Sequence, residues 1–204
     1  MRLLLMRHGQ TYSNISGALD TGTPGADLTD LGRTQANAAA TVLADRGIEA
    51  IYCSTLVRTQ QTAAPLAERL GRAPTIAPDL REIPAGDLEM RTDEESALAY
   101  RHVIARWLID RELDVRLPGG ENAHEFLDRF DAVVGAIRAA DPRSALIVSH
   151  GAAIRTWVGL RVAAANAGHW RGPGHRAAAQ HRLHRARVRR LVADRRLAQP
   201  PPGR

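Results

Sequence analysis

The chain has 204 residues, 44% of them hydrophobic and 25% charged, with a formal net charge of +6. That length suits one domain with a real core, and no apolar run approaches the ~18 residues needed to cross a bilayer. A single cysteine, Cys53, excludes a disulfide framework and a cysteine-rich zinc site, and aromatics at 4% leave few platforms for stacked bases.

The charge is unevenly spread. All 28 basic side chains are arginine; residues 1–170 hold 18 of them against 21 acids, a net of −3. Residues 171–204 hold 10 against Asp194 alone, a net of +9. The opening Arg2 to Arg7 is too short and too basic for a secretory leader, and with one cysteine it predicts a cytoplasmic protein.

Leu3–Met6 reads as a buried strand that ends in Arg7-His8-Gly9. Gln10 to Asp27 has no sustained period and reads as loop. Thr29 caps a helix to about Arg46, with Leu31, Ala38, Val42 and Leu43 among its apolar positions and Gly47 as the stop. Ala50–Cys53 is a second strand, Leu56 to Leu70 a second helix ended by Gly71, and Pro74–Ala77 a short third strand. After a loop over 78–92, a helical pattern runs from Asp93 to Asp110, and Pro118-Gly119-Gly120 breaks the chain. A helix over Ala123–Ala140 turns Phe126, Phe130, Val133, Val134 and Ile137 inward. Ala145–Val148 is the most strand-like segment; it ends in Ser149-His150-Gly151 and leads into a helix over Ala152–Leu160.

Strands alternating with helices predict an α/β fold: a three-layer sandwich with a mostly parallel central sheet and helices on both faces. In such folds the crevice lies at the C-terminal ends of the strands. His8 and His150 both fall there, so they can converge although 142 positions separate them.

Phosphoryl transfer to a side chain needs a nucleophile, cations for the phosphate oxygens, and an acid for the leaving oxygen. His8 offers the imidazole, with Arg7 beside it, and Arg58 stands at a second strand-end turn. Guanidinium groups grip phosphate with two parallel N–H groups. Asn14 adds a neutral donor, and Glu82 follows the third strand, with Asp87 and Glu89 as competing carboxylates. A cysteine nucleophile is disfavoured. That chemistry needs Cys-x5-Arg around a glycine-containing loop, whereas Cys53 and Arg58 are one residue too close with no glycine between them. His102, His124, His169 and the tail histidines lack metal-site spacing and read as solvated or capping residues.

Arg7-His8-Gly9-Gln10-Thr11 with Asn14 resembles the signature of the histidine phosphatase superfamily, the phosphoglycerate mutase-like fold. The likeness continues through Leu28–Ala36, Ser54–Arg58 with Gln61-Thr62-Ala63, Leu80-Arg81-Glu82 with Gly86, Pro118–Glu121 and Ser149–Gly151, covering residues 2–169 in order. The resemblance implies a histidine phosphatase domain over residues 1–170 with a small helical lid at about 83–117. It implies a phosphohistidine on His8, with Glu82 as acid and then base. Arg7, Asn14, Arg58, His150 and Gly151 would hold the phosphoryl group, with His150 cationic once phosphate oxygens face it. No metal or cofactor is implied, since the guanidinium and imidazolium groups supply the positive charge. Many members continue Gly-x-x-Glu-Gly, but this chain has Gly86-Asp87-Leu88-Glu89-Met90, a change expected at the substrate loop.

A short lid leaves the intermediate open to water, so the expected activity is an acid-type phosphatase hydrolysing small phosphorylated substrates. A 2,3-bisphosphoglycerate-dependent phosphoglycerate mutase is the alternative. A reading from another class is binding to nucleic acid or another acidic surface through the ten tail arginines, with strong salt dependence. That role is disfavoured, because residues 171–204 show no period-2 pattern and read as an atypical tail, disordered or out of frame. No membrane partner is expected, and the oligomeric state stays open, a dimer included.

Overall fold

Four strands, β1 (Arg2–Arg7), β2 (Ala50–Cys53), β3 (Thr75–Ile76) and β4 (Ser144–Ser149), form one sheet in the order β1-β4-β2-β3. The structure, a computed structural model, describes residues 1–162. The pairings among these four strands are all parallel. All six residues of β4 are buried, as a central parallel strand covered on both faces requires.

Alternation along β4 divides the core in two. Ala145 and Ile147 join Phe126, Phe130 and Trp107 on one side, while Leu146 and Val148 join Ala63 and Leu66 on the other. Helices α2 (Asp30–Leu43) and α3 (Val57–Leu70) supply the second cluster. Helices α4 (Glu94–Ala105), α5 (Ala123–Ala139) and α6 (Gly151–Trp157) supply the first. The result is the three-layer α/β sandwich that the alternation of elements predicts.

Several boundaries differ from the sequence expectations, each for a local reason. The segment read as loop after His8 contains a short helix, α1 (Tyr12–Ser16). Thr11 and Asn14 close it with a reciprocal capping box, and Gly17 stops it at φ +77°, so five residues fold with no apolar period to reveal them. The inner face of α2 is Gly32, Ala36 and Ala40, whereas Leu31 and Val42 are exposed. Close approach explains the small residues: a Cβ on Gly9 would lie 2.6 Å from the Gly32 carbonyl oxygen, and one on Gly32 would meet Gln10 O. The helix expected over 93–110 keeps α geometry only to Ala105 and finishes in a wider turn, Arg106–Asp110. Likewise α6 passes into such a turn at Val158–Val162. Within residues 83–117, Tyr100, Ile104 and Trp107 enter the same core as α5. Among the described residues no helix is long and apolar enough to cross a membrane.

Candidate active site

The parallel register of β1 and β4 sets Arg7 opposite Ser149, so the chain leaves both strand ends side by side at His8 and His150. The His8 N–H donates to Ser149 O at 3.0 Å, and the two imidazole centroids lie 5.3 Å apart, edge to face. Nδ1 of His8 sits 2.7 Å from Gly9 O. A carbonyl only accepts, so Nδ1 carries the proton and Nε2 keeps its lone pair. Burial pushes the His8 pKa down to about 4; the Gly9 contact opposes this and the nearby Arg58 and Arg7 charges reinforce it. The nucleophile candidate is neutral at pH 7.

His150 is fully buried, with Nε2 2.8 Å from Ser54 Oγ and Nδ1 without a hydrogen-bond partner among the described residues. Burial first, then the charges of Arg58 and His8, hold its pKa well below 6.5. The protein alone therefore keeps this ring neutral, and a cationic form needs an anion beside it.

Arg58 enters on the first turn of α3 and is buried. Its Nη2 donates to Asp20 O at 2.7 Å and its Nη1 lies 3.4 Å from Asp20 Oδ2, while Nε and Nη1 make no hydrogen bond. Asp20 is itself fixed by the Ser13 hydroxyl at 2.7 Å and the Ala26 N–H at 2.8 Å. The guanidinium is thus anchored at one corner with donors to spare. Asn14 spends its Oδ1 on the Thr11 N–H at 3.2 Å, leaving its amide NH2 for other partners. At Gly151 a Cβ would lie 3.3 Å from Arg7 Nε, so a bare backbone lets the guanidinium come close.

Glu82 is held by three backbone donors. Oε1 accepts from Ile83 N–H at 3.0 Å and Ala153 N–H at 2.8 Å, and Oε2 from Ala152 N–H at 3.1 Å. These bonds favour the carboxylate, yet desolvation outweighs them and raises its pKa above 4.5. The chain around it is clamped by Arg129 on α5, which donates to Asp79 O, Arg81 O and Glu82 O and pairs with both oxygens of Glu121.

A cavity of about 200 Å³ is lined by Arg7, His8, Asn14, Arg58, Glu82 and Gly151, with Asp20, Tyr100 and Arg155 among the other walls. The remaining predicted residue, His150, lies buried against His8. Of the three competing carboxylates, Glu82 alone lines this cavity. Glu89 instead ties down the Thr21–Gly22 backbone, with bonds of 2.8 and 2.9 Å. Cys53 is buried off the cavity, and burial pushes its thiol up to about 11. Among the described residues no group of three or more His, Cys, Asp or Glu could hold a metal ion.

A sequence model of the histidine phosphatase superfamily, branch 1, matches residues 3–194. The chain belongs to this superfamily. An 85-residue stretch is 54% identical to the PE-PGRS family protein PE_PGRS11 of Mycobacterium tuberculosis; it is 41% of this chain and only 15% of that protein. Over 151 residues the chain is 33% identical to the adenosylcobalamin/alpha-ribazole phosphatase of Salmonella typhimurium, covering 74% of each. It is 34% identical over 160 residues to a probable phosphoglycerate mutase of an Enterobacter species, covering 76% of this chain and 71% of the relative. Its fold matches a solved mycobacterial glucosyl-3-phosphoglycerate phosphatase complexed with VO3. That match has a TM-score of 0.66 and 33% identity, covering 78% of this chain and 80% of the other.

Met90, where the resemblance noted above leads one to expect glycine, is found in an uncommon backbone conformation. Met90 takes a left-handed φ of 60° and donates its N–H to Leu19 O at 3.0 Å. The sequence reading missed Asp20, Ser54, Thr59 and Arg129. Ser54 lies inside the Ser54–Arg58 motif and could have been flagged there, whereas Asp20 sits in an irregular loop with no periodic signal. The family match runs through the change of composition near Arg171; the expectation for a tail at 171–204 lies outside the described residues.

Proposed function

We propose that this histidine phosphatase is an acid-type phosphomonoesterase that hydrolyses small phosphorylated substrates through a phosphohistidine on His8. The observation that carries the reading is the His8 Nδ1–H bond to Gly9 O, which leaves a neutral Nε2 beside a cavity that also holds Arg58 and Glu82. Nε2 attacks phosphorus, and the bond to the leaving oxygen breaks as Glu82 gives that oxygen its proton. The positive charge gained by the ring is stabilised through Nδ1–H at the Gly9 carbonyl. Glu82, now a carboxylate, takes a proton from water; the water oxygen bonds phosphorus, the Nε2–P bond breaks and phosphate departs. Arg7, Arg58, Asn14, Gly151 and His150 hold the phosphoryl oxygens and offset their charge. A depressed His8 and an elevated Glu82 support a working pH on the acid side.

Hydrolysis rather than isomerisation is favoured because Ile104 and Trp107 are committed to the core, leaving the 83–117 segment little chain with which to enclose a substrate. Two relatives named as phosphatases support this, and the relative named as a probable mutase supports the alternative of a 2,3-bisphosphoglycerate-dependent mutase. On the cavity wall, Arg155 has no side-chain partner among the described residues and suits an anionic group on the leaving side.

The test is phosphate release from p-nitrophenyl phosphate, glycerol 3-phosphate and 3-phosphoglycerate. His8→Ala should cut it by at least about 10³-fold, by loss of the nucleophile. Full activity in that variant overturns the assignment. Conversion of 3-phosphoglycerate to 2-phosphoglycerate without free phosphate, dependent on 2,3-bisphosphoglycerate, would establish the mutase instead.

A further inference from the structure

The phosphoryl-binding donors assigned above leave two buried hydroxyls unused. Ser54, just past the end of β2, and Thr59, on the first turn of α3, are both fully buried, Ser54 against His150 and Thr59 against Ser54. Thr59 Oγ1 lies 2.8 Å from Leu56 O and 3.1 Å from Ser54 O. Both are acceptors only, so the single Thr59 hydrogen goes to one of them and Oγ1 meets Ser54 as an acceptor. Ser54 Oγ accepts the Leu56 N–H at 3.2 Å. Its own hydrogen then has two possible takers: His150 Nε2 at 2.8 Å and Thr59 Oγ1 at 3.0 Å.

We propose that this Ser54–Thr59 pair is a two-position hydroxyl switch that sets the proton pattern of His150 as phosphate arrives. The proposal rests on the phosphatase reading of the site. In the first position Ser54 donates to Nε2. His150 is then neutral with its proton on Nδ1, the nitrogen without a partner among the described residues, and presents an N–H to a phosphoryl oxygen. In the second position Ser54 turns its hydrogen to Thr59, and Nε2–H donates to Ser54 Oγ. With Nδ1–H on the phosphoryl oxygen, both ring N–H groups of an imidazolium are satisfied. The proton taken up in passing from first to second position comes from solvent or the entering phosphate monoanion, and no other bond changes.

The charged groups around the ring explain why an anion is needed to drive the change. Arg58 from α3, His8 and Arg7 from the end of β1, and Arg129 from α5 all disfavour a cation at His150. Glu82 is bound to the Ala152 and Ala153 amides that follow His150 in the chain. Thr59 on this account is a positioning residue, acting on phosphate through Ser54 and His150.

The experiment uses the full chain with ¹⁵N-labelled histidine, with and without inorganic phosphate, and measures the inhibition constant of inorganic phosphate across pH. The wild type without phosphate should show His150 protonated at Nδ1 alone, and with phosphate at both nitrogens. Thr59→Val removes the second acceptor. Its phosphate complex should keep Nε2 unprotonated, and its inhibition constant should rise about tenfold, the scale of one charge-assisted hydrogen bond. Thr59→Ser should restore both properties. A wild-type His150 protonated at Nε2 without phosphate overturns the switch, as does a Thr59→Val complex with a doubly protonated ring. The spectrum without phosphate needs no turnover, so failure of the phosphatase reading, seen as absent hydrolysis by the wild type, is separable from failure of the switch.

Discussion

Glu82 accepts three backbone N–H bonds and still has a raised pKa, because the cost of desolvating its charge exceeds what those bonds return. A side chain so placed can hold a proton and then release it to an alkoxide. Replacing it by glutamine keeps an acceptor for the amides and removes the acid. For Glu82→Gln, the turnover of glycerol 3-phosphate should fall by about 10² to 10⁴, the usual worth of a general acid. Turnover of p-nitrophenyl phosphate should fall far less, since p-nitrophenolate leaves without a proton. Equal losses on both substrates would reduce Glu82 to a structural part. At this scale the sequence was informative wherever chemistry coincides with a strand end: Arg7, His8 and His150 are read from apolar runs that stop at them. Asp20 was not legible, because its role depends on Arg58 reaching it across 38 positions of chain.

The elements that could be read are those whose burial leaves a period. β4 and α5 announce themselves through apolar runs and spacing, and their predicted inward residues are buried or packed against the core. α1 is too short to show one, β3 shows only as the apolar remnant read at Pro74–Ala77, and α2 misleads because Leu31 and Val42 face outward while glycine and alanine make most of the contact. Met90 is a further case in which sequence shows a departure without its consequence. The backbone there is left-handed, a conformation glycine adopts freely and methionine does not. Met90 is exposed, so its side chain contributes little packing. Met90→Gly should therefore stabilise the fold by about 1 kcal/mol, after allowing for the greater entropy of an unfolded glycine. Urea titration would check it, and a lower midpoint would show that the methionine makes contacts outweighing its backbone cost.

For the whole molecule, the +6 charge describes residues 171–204 more than the body, which carries −3. On the proposed reading the attraction for phosphate is local, built by Arg7 and Arg58 against two imidazoles kept neutral. Those imidazoles also shape stability. A histidine whose native pKa lies below its unfolded value binds fewer protons when folded, so it costs stability as pH falls below about 6.5. For His8, at about 4 when native, that cost approaches about 2 kcal/mol at pH 5. His150 acts in the same sense and Glu82, with its raised pKa, in the opposite one. Unfolding free energy should thus drop from pH 7.5 to pH 5, and His8→Ala should remove part of that drop. An unchanged slope in the variant would mean that His8 titrates normally in the native protein.

The register that sets Arg7 against Ser149 also has a kinetic meaning. The first strand is made long before its catalytic neighbour, and the two rings meet only when the central strand has slid between β1 and β2. A nascent chain shorter than about 150 residues can bury a helix or two, but it lacks His150 and so has no second imidazole beside His8. Long-range pairing of this kind is slow to form. Catalytic competence should therefore appear late in folding and all at once, so that the onset of turnover times the closure of the sheet.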